Sequence, residues 1–325
     1  MTPEQVERLT ERQVAEVLRL VRDATESDKV APLSEQVLLS AGDGHQTTGT
    51  VPAPRSVHLL VHAGPRLCGY AHLGWDLGGD TGSAEVVVDP RLRRHGTGTA
   101  LLHALEATLA TGTSDGARLQ VWSHGDLDAA RAFASRDGYS RTRELWQMRR
   151  SLLSDAPGLP AVTLPEGLRT RHFVVGHDEE AWLRVNALAF VDHPEQGRIT
   201  RRDLDQRIAQ DWFDPAGLIL IEDTRGPAPV LVASHWTKVA APDAPGVGPS
   251  VGEVYVVGVD PAYQGQGLGT TVTVLGLAHL REKGLTQAML YVDADNLAAV
   301  ATYSRLDFAR SAVDIMYSRI VHPPM

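Results

Sequence analysis

The 325-residue chain has a single cysteine, Cys68, so no disulfide can form within it and a reducing compartment suits it. Cys68 lies in the apolar run LCGYAHLGW, where a small buried hydrophobe is expected rather than a nucleophile. No window approaches the roughly 18 consecutive apolar residues of a membrane span. The amino terminus, MTPEQVERLTERQVAEVLRL, is charged from its fourth residue and has no apolar signal-peptide core, so a soluble, cytoplasmic protein is expected. Nor is positive charge in excess. Forty acidic against 31 basic residues give a formal charge of −9, which argues against a broad electrostatic footprint for nucleic acid or an anionic membrane. Any anionic ligand must be held by local geometry.

What is present is ordinary for a globular chain, 43% hydrophobic and 22% charged residues, and the length predicts two domains. Near the start, Val14, Val17, Leu18 and Val21 are predicted to share one face of a helix, opened by a capping box of Thr10 with Gln13. A loop over 41–54 leads to two strand-like runs, SVHLLVHAG and CGYAHLGW, around the turn residues Gly64 and Pro65. Then comes a pattern that occurs twice: an apolar strand ending in Asp-Pro, a glycine-rich turn, a helix, a strand, a short Ala-rich helix and a last strand. Asp89 and Asp260, Pro90 and Pro261, Gly96 and Gly267, Gly98 and Gly269 are each 171 residues apart, the spacing of a domain rather than of a solenoid repeat. Between the copies, 151–167 carries three prolines and no period, and reads as a linker plus an entry strand. The expectation is an α+β (mixed α/β) fold of two tandem domains, 1–155 and 156–325, each a sheet flanked by helices.

The glycine turn carries chemistry. The first turn of a helix presents unpaired N–H groups and the positive end of its dipole, and glycines let a diphosphate approach that backbone. This is not a P-loop, which needs Lys-Ser/Thr, nor a dinucleotide fingerprint in context. A purely structural turn is the alternative, and the second copy in an equivalent place favours the ligand. His58 and His62 stand on a strand pattern without the glutamate of a zincin motif, and Asp293 with Asp295 reads as turn and cap, so no metal is expected. No Ser-His-Asp or Cys-His arrangement is suggested.

The pattern Gln/Arg-x-x-Gly-x-Gly after a strand, at Gln264, Gly267 and Gly269 and again at Arg93, Gly96 and Gly98, resembles motif A of the GNAT acetyltransferases. Asp295-Asn296 with Ala301, Tyr303 and Phe308 resembles motif B. The resemblance implies a splayed sheet and acetyl-CoA as cosubstrate. Val257, Gly258 and Val259 would bond pantetheine and the acetyl carbonyl. Gln264, Gly265, Gln266, Gly267, Leu268, Gly269 and Thr270 would hold the pyrophosphate, with Asn296, Leu297, Ala298, Ala299, Val300 and Ala301 also against the cofactor. In the first half the matching positions are Val86, Val87 and Val88, then Arg94, His95, Gly96, Thr97, Gly98 and Thr99. More specifically, the tandem arrangement with AFVDHPEQG, HWTKV and GEVYVVGVDP is similar to the mycothiol synthase family, which acetylates the cysteinyl amine of desacetylmycothiol, a cysteinyl-glucosaminyl-inositol.

An amine acceptor must lose a proton to attack a thioester, and the departing thiolate must gain one. Alternation places Glu253 on one strand face with Tyr255 and Val257, and Val254 with Val256 on the other. Glu253 is either a solvated strand-end residue or the general base, and the resemblance favours the base. Tyr303 is either core or the general acid. Asn296 is an N-cap, a CoA contact, or both. Counting back seven residues sets Gly82 opposite Glu253, and aligning Gly138 with Asp307 sets Ala134 opposite Tyr303 and Leu127 opposite Asn296, so the first half is expected to bind without catalysing. The resemblance adds Glu35, Glu195, Lys238 and Tyr291, with Glu253, as acceptor contacts for a small hydroxyl-rich substrate. A monomer is expected. The competing readings are a GNAT enzyme for a protein amino terminus or an aminoglycoside, and a non-catalytic acyl-CoA sensor.

Overall fold

The structure is a computed structural model that describes residues 2–42, 55–75, 80–111, 116–191, 196–239 and 251–323. The chain forms two compact units, Met1–Leu145 with Ala312–Met325, and Trp146–Ser311. This division differs from a cut at 155 because the strand at the end of the sequence lies in the first unit.

The first unit begins with β1 (Glu4–Val6), α1 (Glu11–Asp28) and α2 (Glu35–Gly42), followed by β2 (Arg55–Ala63), β3 (Arg66–Trp75) and β4 (Thr81–Val88). A 3₁₀ turn at Pro90–Leu92 leads into α3 (Thr97–Ala110), β5 (Ala117–Ser123), α4 (Asp128–Arg136) and β6 (Ser140–Ser151), the last running on into the second unit. The second unit then contains β7 (Leu168–His172), α5 (Glu179–Ala189), α6 (Arg201–Ile208), β8 (Leu218–Asp223), β9 (Val230–Lys238), β10 (Val251–Val259), α7 (Leu268–Glu282), β11 (Gln287–Asp293) and α8 (Leu297–Arg305). Finally β12 (Ala309–Val321) returns to the first unit.

Strand order in the first unit is β1-β2-β3-β4-β5-β12, with the first half of β6 beyond β12; in the second it runs from the other half of β6 through β11-β10-β9-β8-β7. The last strand of the second sequence copy thus lies mostly in the first unit, while that of the first copy begins in the first unit and ends in the second. β12 is antiparallel to β5 from Ile315·Ser123 to Val321·Ala117.

Each sheet has helices packed on both faces, because alternate side chains point to opposite faces and both rows are apolar in its central strands. In the first unit Val57, Leu59, Ala71, Leu73 and Ala84 pack with Leu101, Leu102, Leu105 and Leu109 of α3. Leu60, Tyr70 and Val87 face α1. The capping box of Thr10 and Gln13 is formed, and Cys68 is buried, its thiol donating to the Val61 carbonyl at 3.2 Å. The buried face of α1 is Val17, Leu20, Val21 and Ala24, whereas Leu18 is exposed. The predicted stripe is therefore turned by part of a helical step, since Leu20 and Ala24 complete the i, i+3, i+4, i+7 set and Leu18 does not. In the second unit α7 covers one face and α5 the other.

Candidate active site

Both units open at the same place. β4 and β5 are parallel from Thr81·Arg118 to Glu85·Trp122, and there the pairing ends while β4 continues to Val88. β10 and β11 are parallel only from Val251·Gln287 to Val254·Leu290, and β10 continues to Val259. Beyond each fork, the strand edge carrying Val86–Val88 or Val257–Val259 has backbone groups free of that ladder, able to bond an extended ligand.

The glycine turns lie just past these strands. Gly267 is the N-cap of α7 at φ 79° and offers no side-chain cap, and the first helical bond is Thr271 N–H to Gly267 C=O. The N–H groups of Leu268, Gly269 and Thr270 therefore lack intrahelical acceptors, the arrangement that suits a phosphate. Gly96 repeats it at φ 84° on α3. The two turns differ in their braces. Gln264 Nε2 lies 3.5 Å from the Val259 carbonyl, whereas Arg93, its counterpart, donates from Nε to Val88 and grips Asp28 of α1 with both terminal nitrogens at 2.8 and 2.6 Å. Gly265 has φ 78°, and Arg94 holds the same left-handed conformation, φ 67°, without being glycine. Thr99 accepts a bond from Arg136 of α4 at 2.8 Å, and His95 Nδ1 is 2.7 Å from the Arg93 carbonyl.

The second fork has a feature that the first lacks. β9 and β10 pair Glu253·Lys238 and Val254·Thr237, then Val256·Trp236, so Tyr255 is an extra residue, a β-bulge. β3 and β4 pair without a shift from Gly69·Val88 to Trp75·Gly82. The bulge reverses the phase of β10. Gly252 faces Leu280 and Val254 joins the α7 core, while Val256 packs with Trp182 and Val185 of α5 and Gly258 faces Ala189. Val257 and Val259 return to the α7 side. Glu253 and Tyr255 thus share the α5 face with Val256 and Gly258, not with Val257, which corrects the simple alternation expected from sequence. It also shifts the comparison between the halves. From the shared pairs Gly69·Val88 and Ala233·Val259, five steps along β3 and β9 reach Gly74 and Lys238, whose partners are Ser83 and Glu253. The counterpart of Glu253 is Ser83 rather than Gly82. A Cβ on Gly82 would strike Leu109 of α3, just as one on Gly252 would strike Leu280 of α7.

Around Glu253 the α5 face carries two of the other predicted acceptor contacts, Lys238 and Tyr291. Lys238 stands directly opposite it. Ala288, Leu290 and Val292 of β11 point to the α7 core, so the exposed Tyr291 takes the α5 side, where its hydroxyl accepts from Gln147 Nε2 at 3.1 Å. Tyr303 comes from the other face. It is half-buried against the α7 core, edge-on to Phe308 with centroids 5.8 Å apart, and burial pushes its phenol up to about 12. The phenol is therefore protonated throughout the neutral range. Asn296 is the N-cap of α8, its side chain accepting from Ala299 N–H at 3.1 Å, and the Leu297 beside it is 74% exposed. Glu35 is the first residue of α2, in the first unit, and follows Ser34, whose N–H donates to Glu85 at 2.6 Å. Glu195 lies outside the described residues. His58 bonds the Tyr70 hydroxyl at 2.8 Å and His62 lies 3.3 Å from Glu16.

Sequence reasoning missed the aromatic group around Lys238. Its Nζ lies 4.8 Å from the ring centre of Trp212 and 5.2 Å from that of Tyr255. The only signal was Trp212-Phe213 in an otherwise polar stretch after α6.

Two forked sheets, each with a glycine turn feeding a helix, define a tandem acetyltransferase architecture, and the model of the acetyltransferase (GNAT) family matches residues 27–139 and 182–308. Mycothiol acetyltransferase of Thermomonospora curvata is 50% identical over 310 residues, covering 95% of this chain and 94% of that protein. That of Kytococcus sedentarius is 45% identical, covering 98% and 97%. Among solved structures, a tandem GNAT protein from the clavulanic acid biosynthesis pathway superposes with a TM-score of 0.69 at 18% identity, covering 100% of this chain and 99% of that one. A GCN5-related N-acetyltransferase from Sphaerobacter thermophilus gives 0.67 at 22% identity, covering 100% and 98%. The chain belongs to the mycothiol acetyltransferase family, a tandem branch of the GNAT acetyltransferases, and is an acyltransferase. Acetyltransferases of this family use acetyl-CoA. No helix among the described residues is long and apolar enough to cross a membrane.

Proposed function

We propose that the second unit transfers acetyl from acetyl-CoA to the cysteinyl amine of desacetylmycothiol, with Glu253 as general base and Tyr303 as general acid. The observation that carries this is the Glu253·Lys238 pair at the fork of β10 and β11, where the first unit has only Ser83 and Gly74. Glu253 lies on the α5 face and Tyr303 on the α7 face, so an amine reaching the fork from one side meets a base, and sulfur leaving on the other meets a proton donor. The α-amine acceptor has a reference pKa of about 7.7 to 8.0, so much of it is protonated at neutral pH. Glu253 takes the proton, nitrogen forms the amide bond as the carbon–sulfur bond breaks, and Tyr303 supplies the proton that turns thiolate into thiol.

The unpaired edge of Val257–Val259 would hold pantetheine and the acetyl carbonyl. Residues 264–270 would hold the pyrophosphate on the α7 amino terminus, and residues 296–301 would line the same cofactor. Val86–Val88 and residues 94–99 would bind it in the first unit, where no carboxylate occupies the place of Glu253 and Ala134 occupies that of Tyr303. Lys238 and Tyr291 would read acceptor hydroxyls, and Glu35 and Glu195 are proposed as further contacts on family resemblance alone. The chain would act as a monomer in the cytoplasm.

The test is an acetyl-CoA assay with desacetylmycothiol beside cysteine amide, an aminoglycoside and a peptide amino terminus, the amide product being followed by mass spectrometry because the acceptor carries its own thiol. Strong preference for desacetylmycothiol is expected. Equal rates with cysteine amide would leave only the acetyltransferase class.

A further inference from the structure

We infer that Trp212 and Tyr255, braced by Arg207, are positioning residues that fix the Lys238 ammonium for the acceptor; this rests on the acceptor-reading role proposed for Lys238. A lysine is a poor fixed contact by itself, since its four-carbon stem must be immobilised before its charge can recognise anything. Here two ring faces do that in advance. The ammonium lies 4.8 Å from the centre of the Trp212 ring and 5.2 Å from that of Tyr255, within the range of cation–π attraction.

The platform is itself held. Tyr255 is the bulge residue of β10, and its hydroxyl accepts from Arg207 Nε at 2.8 Å. Arg207 also bonds the Asp203 carbonyl at 2.8 Å, within α6, and that helix is fixed by the capping box of Thr200 and Asp203. Trp212 meets Tyr255 edge to face at 5.2 Å, both rings contact Trp236, and Trp236 meets the fully buried Trp182 at 5.4 Å. The chain of rings therefore runs from the lysine into the core, with no long flexible side chain between. A lysine held by ring faces can turn N–H donors away from the rings toward hydroxyl oxygens, which suits a sugar or cyclitol acceptor. Its row on β9 is the row of Glu253, so the same clamp would register the acceptor against the base.

The experiment compares Trp212→Leu with Trp212→Phe, alone and with Lys238→Met, in steady-state assays with desacetylmycothiol and acetyl-CoA. It is joined by NMR of the Lys238 ε-methylene protons, which ring faces shift upfield. Trp212→Leu should raise KM for desacetylmycothiol roughly tenfold, change kcat and KM for acetyl-CoA much less, and return the lysine signals to an ordinary position. Trp212→Phe, which keeps a ring face, should recover most of the loss, and in the Lys238→Met background the leucine change should add nothing. Equal effects of Leu and Phe, a parallel rise in acetyl-CoA KM, or full additivity with Lys238→Met would overturn the inference. Failure of the wild-type protein to acetylate desacetylmycothiol would instead reject the proposed substrate, and the lysine signals would still decide whether the rings hold Lys238.

Discussion

Glu253 of the second sheet occupies the place that Ser83 holds in the first, each reached by the same number of steps from a shared strand pair. One position in a duplicated frame thus carries a carboxylate in one copy and a hydroxyl in the other. Glu253→Gln keeps size while removing the carboxylate proposed as the base, so kcat should fall by about 10²- to 10³-fold, with KM for acetyl-CoA little changed. Steady-state kinetics with desacetylmycothiol check this, and an unchanged kcat would remove Glu253 from the chemistry.

Tyr303→Phe keeps the ring against Phe308 and deletes only the hydroxyl, so the thermal midpoint should hold while kcat drops by roughly 10- to 100-fold. Burial pushes the wild-type phenol up to about 12. A group that is an acid below its pKa stays competent as pH rises, so Tyr303 should impose no descending limb on the kcat profile below about pH 11. A limb near pH 8 that vanishes in the phenylalanine variant would contradict this.

Gly267 has open space where a Cβ would stand but sits at φ 79°. Gly267→Ala should destabilise the second unit by roughly 1 to 2 kcal/mol through backbone strain, and should raise KM for acetyl-CoA more than it changes KM for the acceptor. Calorimetry and initial rates separate the two effects.

In the first unit His124 is clamped between carboxylates, Nδ1 at 3.1 Å from Asp314 of β12 and Nε2 at 3.7 Å from Glu85 of β4. Burial alone would lower its pKa, but the two acidic partners outweigh that and raise it to about 10. Because the folded value is raised above the unfolded one, the stabilisation is fully present below about pH 6.5 and is lost as pH rises toward 10. Wild-type melting temperature should therefore decline across that window more steeply than that of His124→Gln, measured at matched ionic strength.

How far the sequence could be read depended on what each residue had to do. Gly96 and Gly267 were legible because a left-handed N-cap before a helix leaves few other residues possible, and the repeat showed both at once. The bulge at Tyr255 was not, because Val254 and Val256 are equally apolar and either phase of β10 looks like a buried strand. Ser83 was hidden by the same extra residue. Leu18 and Leu20 fit the helical stripe of α1 about equally on paper, and only packing on Leu60 and Tyr70 chose Leu20. The Trp212 platform needed residues from α6 and from β10, which no local pattern joins.

The seating of β12 beside β5 bears on how the molecule is made. During synthesis residues 1–145 of the first unit emerge well before its last strand, so its sheet has an open edge at β5 until residues 315–321 have left the ribosome. Closure of the first unit therefore waits until the second unit, Trp146–Ser311, has been made. A nascent chain stopped before β12 would expose the β5 edge that β12 covers in the folded protein.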